Sequence, residues 1–244
     1  MALAIFDLDG TLLTGDSDVL WCAFLQDQGR LDSTLVEACR AAASKYRDGT
    51  VSPQAYCTLQ AQLLAGRPAD ELQDLQQRFF DGVIRPRIPP AARELLQRHR
   101  RAGDLLVLTT ATNSVVSGLT AQDLGVDGYL CTELEWDADG RCAGRTRGTL
   151  NIRMGKVARL RTWLAERQLP ESLLRRASFY TDSINDLALL SVVGHPTVVD
   201  PDPRLAATAM RKGWAQVHLH PVDGPAADGT DLRSLRRPRQ RAEA

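Results

Sequence analysis

The 244-residue sequence predicts an α/β protein: a doubly wound, Rossmann-like parallel sheet core with an inserted all-helical segment. Three observations carry this expectation. Residues 2–6 are an apolar run that ends in Asp7-Leu8-Asp9-Gly10-Thr11, the pattern of a buried strand entering a turn. Residues 16–86 show helical spacing and no convincing strand. From residue 87 onward, apolar runs of strand length alternate with helical stretches, as in right-handed βαβ units covered on both faces.

Taken in order, the helical segments of the insertion fall at residues 19–28, 35–46 and 53–64. Pro89-Pro90 opens a helix that runs to about residue 101. Residues 105–109 form a buried strand, and Thr109-Thr110-Ala111-Thr112-Asn113 reads as a hydroxyl-rich turn. Ser114 is placed to cap a helix ending near Leu124-Gly125. A strand at 129–134 follows, with Asp139-Gly140 suited to a hairpin turn. The remainder predicts a helix at 156–168, a strand at 177–181, a helix at 185–192, a strand at 197–199, a helix at 203–212 and a last strand at 214–219. The units are therefore a core of residues 1–15 and 87–222, an insertion of residues 16–86, and a tail of residues 223–244. The tail is rich in Gly, Pro, Ala and Arg and reads as flexible.

Thirty basic residues balance thirty acidic ones, so no global field argues for nucleic acid or an anionic membrane. Recognition must be local, and the partner expected is a small molecule. No stretch approaches the roughly 20 apolar residues of a membrane span. The chain starts directly on its first strand, without the pattern of a signal peptide, which predicts a cytoplasmic protein. Cys22, Cys39, Cys57, Cys131 and Cys142 are scattered and read as reduced thiols rather than a zinc site.

Chemistry gathers at four strand ends. Asp7 and Asp9, at i and i+2 on an extended segment, point the same way and would converge at the strand's carboxyl end. Two such anions persist together with a cation between them or with a shared proton, which makes a hard divalent ion such as Mg²⁺ the first hypothesis. An ordinary turn with Asp7 as a solvated end residue is the bland alternative. Thr110 lies in the hydroxyl cluster, which serves either as an anion site or as a helix cap. Lys156 stands at the start of a helix, where the dipole favours an acid. Asp182 and Asp186, with Asn185 between them, close the strand at 177–181.

This ordered set, Asp7-Leu8-Asp9-Gly10-Thr11, then Thr110, then Lys156, then Asp182 with Asp186, resembles the haloacid dehalogenase superfamily of phosphatases and phosphotransferases. The helical insertion resembles the cap of its phosphoserine-phosphatase-like branch. The resemblance implies an Asp7 nucleophile that forms an aspartyl-phosphate and an Asp9 general acid and base. It implies Mg²⁺ held by Asp7, the Asp9 backbone carbonyl and Asp182. Thr110 and Lys156 would bind phosphoryl oxygens, Asp186 would orient Lys156 or the metal's water shell, and Asn185 joins the candidate substrate-binding set. The position seven residues after Asp9, a glutamate facing the substrate amine in phosphoserine phosphatases, is Asp16 here. The helix at 53–64 lacks the arginine that meets the substrate carboxylate, with Cys57 or Thr58 near that place. A carboxylate buried without its cation is costly, whereas Asp16 and Asp18 could face an amine, so the expected substrate is a small phosphate monoester, with histidinol phosphate ahead of phosphoserine. Arg47 and Arg67 are the residues that keep phosphoserine open. A phosphotransferase would use the same residues, and an idle regulatory module is the reading from a different class. Trp21 reads first as a packing residue, with the substrate entrance as its alternative role, whereas His99, His195, His218 and His220 are left outside the site.

Overall fold

The computed structural model describes residues 2–220; the Arg-rich tail expected at 223–244 lies outside them. Its sheet has seven strands: β1 (Leu3–Phe6), β2 (Leu105–Asn113), β3 (Gly128–Trp136), β4 (Cys142–Arg147), β5 (Ser178–Thr181), β6 (His195–Val199) and β7 (Ala215–Val217). Their order across the sheet is β4-β3-β2-β1-β5-β6-β7. All neighbouring pairs are parallel except β3 with β4, the hairpin turning at Asp137–Arg141. Because the chain returns from β4 to the far side of β1, the direction of winding reverses between β1 and β5. In open α/β sheets ligands bind at the carboxyl ends of the strands beside such a switch.

Strand alternation divides the core into two layers. Ala4, Phe6, Leu106, Leu108 and Val199 face one apolar cluster, which takes in the helices α1 (Ser17–Asp27), α4 (Ala69–Phe79), α5 (Pro90–Arg101) and α6 (Ser114–Leu124). Leu3, Ile5, Val107, Phe179 and Val198 face the other, closed by α7 (Met154–Glu166), α8 (Leu187–Leu190) and α9 (Pro203–Lys212). Burial on both faces explains why these strands read as continuous apolar runs.

The segment between β1 and α5 also holds α2 (Ser33–Arg47) and α3 (Pro53–Gln62). Asp16, Asp32 and Ser52 cap α1, α2 and α3 by accepting from Val19, Leu35 and Ala55 N–H groups. α4, not anticipated from the sequence, buries Leu72, Leu75 and Phe79 at helical spacing and continues into a π-helical turn at Phe80–Ile84. Among the described residues no helix is long and apolar enough to cross a membrane.

Three expectations are corrected. Residues 109–113, expected as a turn, extend β2, and the helix cap is Asn113 rather than Ser114. The reason is remote: Asn151 Nδ2 donates to Thr109 Oγ1, Thr110 O and Leu130 O at 2.8–2.9 Å, holding the strand across a register shift against β3. The helix expected at 185–192 is a 3₁₀ turn (Ile184–Asp186) followed by the single turn of α8. The entrance alternative for Trp21 is the third to fall, while its packing reading holds: it is 1% exposed and packs edge-on to Phe79, with ring centroids 5.0 Å apart.

Because Phe79 belongs to the same cluster as Ala4 and Phe6 of the sheet, Phe79→Ala is expected to lower the unfolding free energy by about 3–5 kcal/mol. Urea denaturation followed by tryptophan fluorescence checks this, with one transition shifted as a whole. A separate early transition for the inserted helices would contradict the shared core.

Candidate active site

The site begins where β1 ends. Asp7 N–H still donates to the Tyr180 carbonyl of β5 at 2.9 Å, and the chain then turns, with Thr11, Leu12 and Leu13 N–H all returning to Leu8 O. Gly10 sits at φ +68°, and a Cβ there would lie 2.1 Å from Asp182 Oδ2. Only glycine lets the two loops approach so closely. Thr11 Oγ1 fastens them by accepting from Asp182 N–H at 3.0 Å.

The buried centre is a chain of three charges. Lys156 Nζ donates to Asp7 Oδ1 and to Asp186 Oδ2, each at 2.8 Å, and Asp186 Oδ2 also accepts from Thr181 Oγ1 at 2.8 Å. Lys156 is 3% exposed, Asp186 3% and Asp7 7%. Burial opposes charge on Lys156, but Asp186 and Asp7 outweigh it and hold the ammonium above its ordinary range. Burial pushes the Asp7 carboxyl up to about 7 against the pull of Lys156. Burial, with the charges of Asp7 and Asp186, also lifts the Asp182 carboxyl well above the usual carboxylate range.

Asp9 takes different partners, so the shared strand face expected for the two aspartates is not kept. The strand stops at Phe6, and a turn carries the chain on to Asp9, which lines the same cavity as Asp7. Its Oδ1 accepts from Ser17 N–H at 2.6 Å at the start of α1, and its Oδ2 accepts from Thr112 Oγ1 at 2.9 Å.

Asp7, Asp9, Asp16, Lys156, Asp182, Asn185 and Asp186 line one cavity of about 360 Å³. Thr110 does not. It is fully buried behind the wall, its Oγ1 3.5 Å from Asp9 Oδ2, while Thr112 reaches the cavity from the same strand. Asn185 ties the wall to the inserted helices, accepting from Arg153 Nε at 3.3 Å and donating to Tyr46 O at 3.5 Å. Of the two arginines, Arg47 lines the cavity and meets Asp16 at 3.4 Å, whereas Arg67 pairs with Glu71 on α4 at 2.8 Å. Burial and the charge of Asp9 push the Asp16 carboxyl up to about 6.

Residues outside the expected set also contribute. Thr112 stands two positions after Thr110, a signal that becomes readable once the segment is known to be a strand. His220 gave no signal. Its ring bridges Thr14 Oγ1 at 2.8 Å and Gly10 O at 3.0 Å, bracing the loop after Asp9 from 206 residues away.

The family model for haloacid dehalogenase-like hydrolases matches residues 4–191 of this chain. The chain belongs to that family. It is 36% identical over 213 residues to a histidinol-phosphatase of Neisseria meningitidis serogroup C, covering 87% of this chain and 96% of the relative. It is 31% identical over 217 residues to a phosphoserine phosphatase of Mycobacterium tuberculosis, covering 87% and 69%. Among solved structures, a Bordetella pertussis Tohama I protein of unknown function is 37% identical, with a TM-score of 0.82 over 89% of this chain and 98% of that one. A substrate-bound phosphoserine phosphatase shares the fold at 16% identity, with a TM-score of 0.67 over 91% and 94% of the two chains.

The close approach at Gly10 sets a test of this geometry. Gly10→Ala must either move Asp182 or strain the left-handed backbone, and is expected to lower the unfolding free energy by about 1–3 kcal/mol. Thermal denaturation checks this, and an unchanged midpoint would contradict the packing of the two loops.

Proposed function

We propose that this chain hydrolyses a small phosphate monoester through an aspartyl-phosphate on Asp7, with Mg²⁺ bound beside it, and that the ester is that of an amino alcohol such as histidinol. The enzyme class is that of a phosphoric monoester hydrolase. The observation that carries the reading is the Lys156 ammonium 2.8 Å from Asp7 Oδ1 on the wall of a cavity that Asp9 also lines.

Among the described residues no group of three or more His, Cys, Asp or Glu side chains forms a metal cage. The donors offered are the Asp7 and Asp182 carboxylates and the main-chain carbonyl of Asp9. That set suits Mg²⁺, which keeps several waters and takes one or two carboxylates together with phosphate oxygens. Mg²⁺, when bound, supplies neutralisation of the anionic phosphoryl group.

The remaining steps fall to the chain's own residues. Asp7 attacks phosphorus as the ester P–O bond breaks, and Asp9 gives its proton to the departing alcohol oxygen. Asp9 then takes a proton from water as that water attacks phosphorus, breaking the bond to Asp7 and releasing phosphate. Lys156 holds the nucleophile and balances charge on the phosphoryl oxygens, with Asp186 fixing Lys156. Thr112 and Ser17 orient Asp9, and Thr110 supports that wall from behind. Residues 16–86 act as the cap over residues 1–15 and 87–222, excluding water and selecting the alcohol portion. The five cysteines are free, buried thiols, which suits the cytoplasm.

Arg47 favours a second reading. It lines the cavity with its side chain 57% exposed and meets Asp16 only at 3.4 Å, so a substrate carboxylate such as that of phosphoserine has a cation within the site.

Phosphate release from histidinol phosphate, phosphoserine and sugar phosphates, with Mg²⁺ and with chelator, tests the reading. Turnover concentrated on the amino-alcohol ester and lost with chelator is the expected outcome; preference for phosphoserine would support the Arg47 reading. Asp7→Asn and Asp9→Asn are each expected to lower kcat by about 10³-fold or more while the circular dichroism spectrum is kept. Retained turnover in Asp7→Asn would falsify the nucleophile assignment.

A further inference from the structure

Two acids from the start of α1 reach the cavity, and their surroundings differ. Asp16 has both oxygens engaged: Oδ1 accepts from Val19 N–H at 3.0 Å and Oδ2 faces Arg47 Nη1 at 3.4 Å. Asp18 is 3% exposed; its Oδ2 accepts from Tyr56 OH at 2.9 Å, while its Oδ1 is buried with no partner. An acid in the first turn of a helix is ordinarily explained by the dipole, but that benefit needs neither burial nor an unmet acceptor.

The local charges leave Asp18 as the uncompensated group on this wall. Lys156 is committed to Asp7 and Asp186, and Arg47 faces Asp16. Burial, with the charges of Asp16 and Asp9, lifts the Asp18 carboxyl well above the usual range, so its ionised form lacks a counter-charge. Beside it the rings of Tyr46 and Tyr56 stack with centroids 4.7 Å apart and planes 11° from parallel, and both residues line the cavity. An acid next to a stacked aromatic pair suits a cation with a flat or apolar body.

We propose that Asp18, rather than Asp16, anchors a cation subsite that binds the protonated nitrogen of the substrate's alcohol portion, an ammonium or an imidazolium, against Tyr46 and Tyr56. The inference rests on the phosphatase reading for its kinetic consequence, but not for binding. Tyr56 is a positioning residue in this arrangement, holding one Asp18 oxygen while the other is left without a partner.

The test uses Asp18→Asn, which keeps the side-chain shape and an acceptor for Tyr56, in two arms. In the kinetic arm, kcat/KM is measured for histidinol phosphate and for 4-nitrophenyl phosphate, which carries no cation. The ratio of the two is expected to fall by about 30-fold or more, chiefly through KM for histidinol phosphate. An unchanged ratio would overturn the assignment. In the binding arm, calorimetry follows histidinol binding to the wild-type and variant proteins without turnover. Binding weakened about tenfold or more supports the subsite, and equal binding by both overturns it. A wild-type protein that binds histidinol through Asp18 yet hydrolyses neither ester would sink the phosphatase reading while leaving the subsite standing. Asp16→Asn, run in parallel, is expected to change the ratio less than Asp18→Asn; the reverse order would return the anchor to Asp16.

Discussion

The ammonium of Lys156, fixed between the carboxylates of Asp7 and Asp186, is the interaction on which the rest of the site depends. It joins three segments remote in sequence: the exit of β1, the start of α7 and the turn after β5. Removing one partner from such a buried pair typically costs about 3–5 kcal/mol, because the remaining charge is left without compensation. A single cation between two acids also leaves one negative charge in excess, before Asp182 is considered. That imbalance is a demand for further positive charge at the place where the proposed chemistry brings a metal ion and an anionic phosphoryl group.

The sheet creates this demand by topology. β1 lies between β2 and β5, so acids at the exits of β1 and β5 become neighbours although about 175 residues separate them. Apolar layers cover both faces of the strands, and the site's charged groups lie in the loops beyond their carboxyl ends and on the adjoining helices. The inserted helices supply further lining through Asp16, the N-cap of α1, Asp18 in its first turn, Tyr46 and Arg47 at the end of α2, and Tyr56 on α3. In the proposed reading, catalytic groups thus sit at the sheet and selective groups on the insertion, a division that would let the alcohol portion vary while the phosphoryl chemistry stays fixed.

What was legible in the sequence follows from what is local. β1 and β5 announced themselves as apolar runs ended by acids, and Lys156 stood out because it breaks the helix-dipole preference, an exception that its two carboxylate partners now explain. The extension of β2 was not legible, because Thr109 to Asn113 has turn-like composition and is held extended by Asn151, about forty residues away. With that strand unread, Thr112 was hidden as a partner of Asp9, whose carboxylate accepts from the Thr112 hydroxyl and the Ser17 N–H. His220 and the unpaired oxygen of Asp18 belong to contacts between distant segments, for which neither periodicity nor spacing gives a signal.

The central claim is that the carboxylate held by Lys156 becomes covalently phosphorylated. Its most direct test is to quench the enzyme with acid during turnover of its best ester, reduce the acyl phosphate with borohydride, and locate the product by peptide mass. Homoserine at position 7 is the result the account predicts. Robust turnover with no reducible phosphoenzyme, or homoserine at Asp9, Asp182 or Asp186 instead, would contradict it.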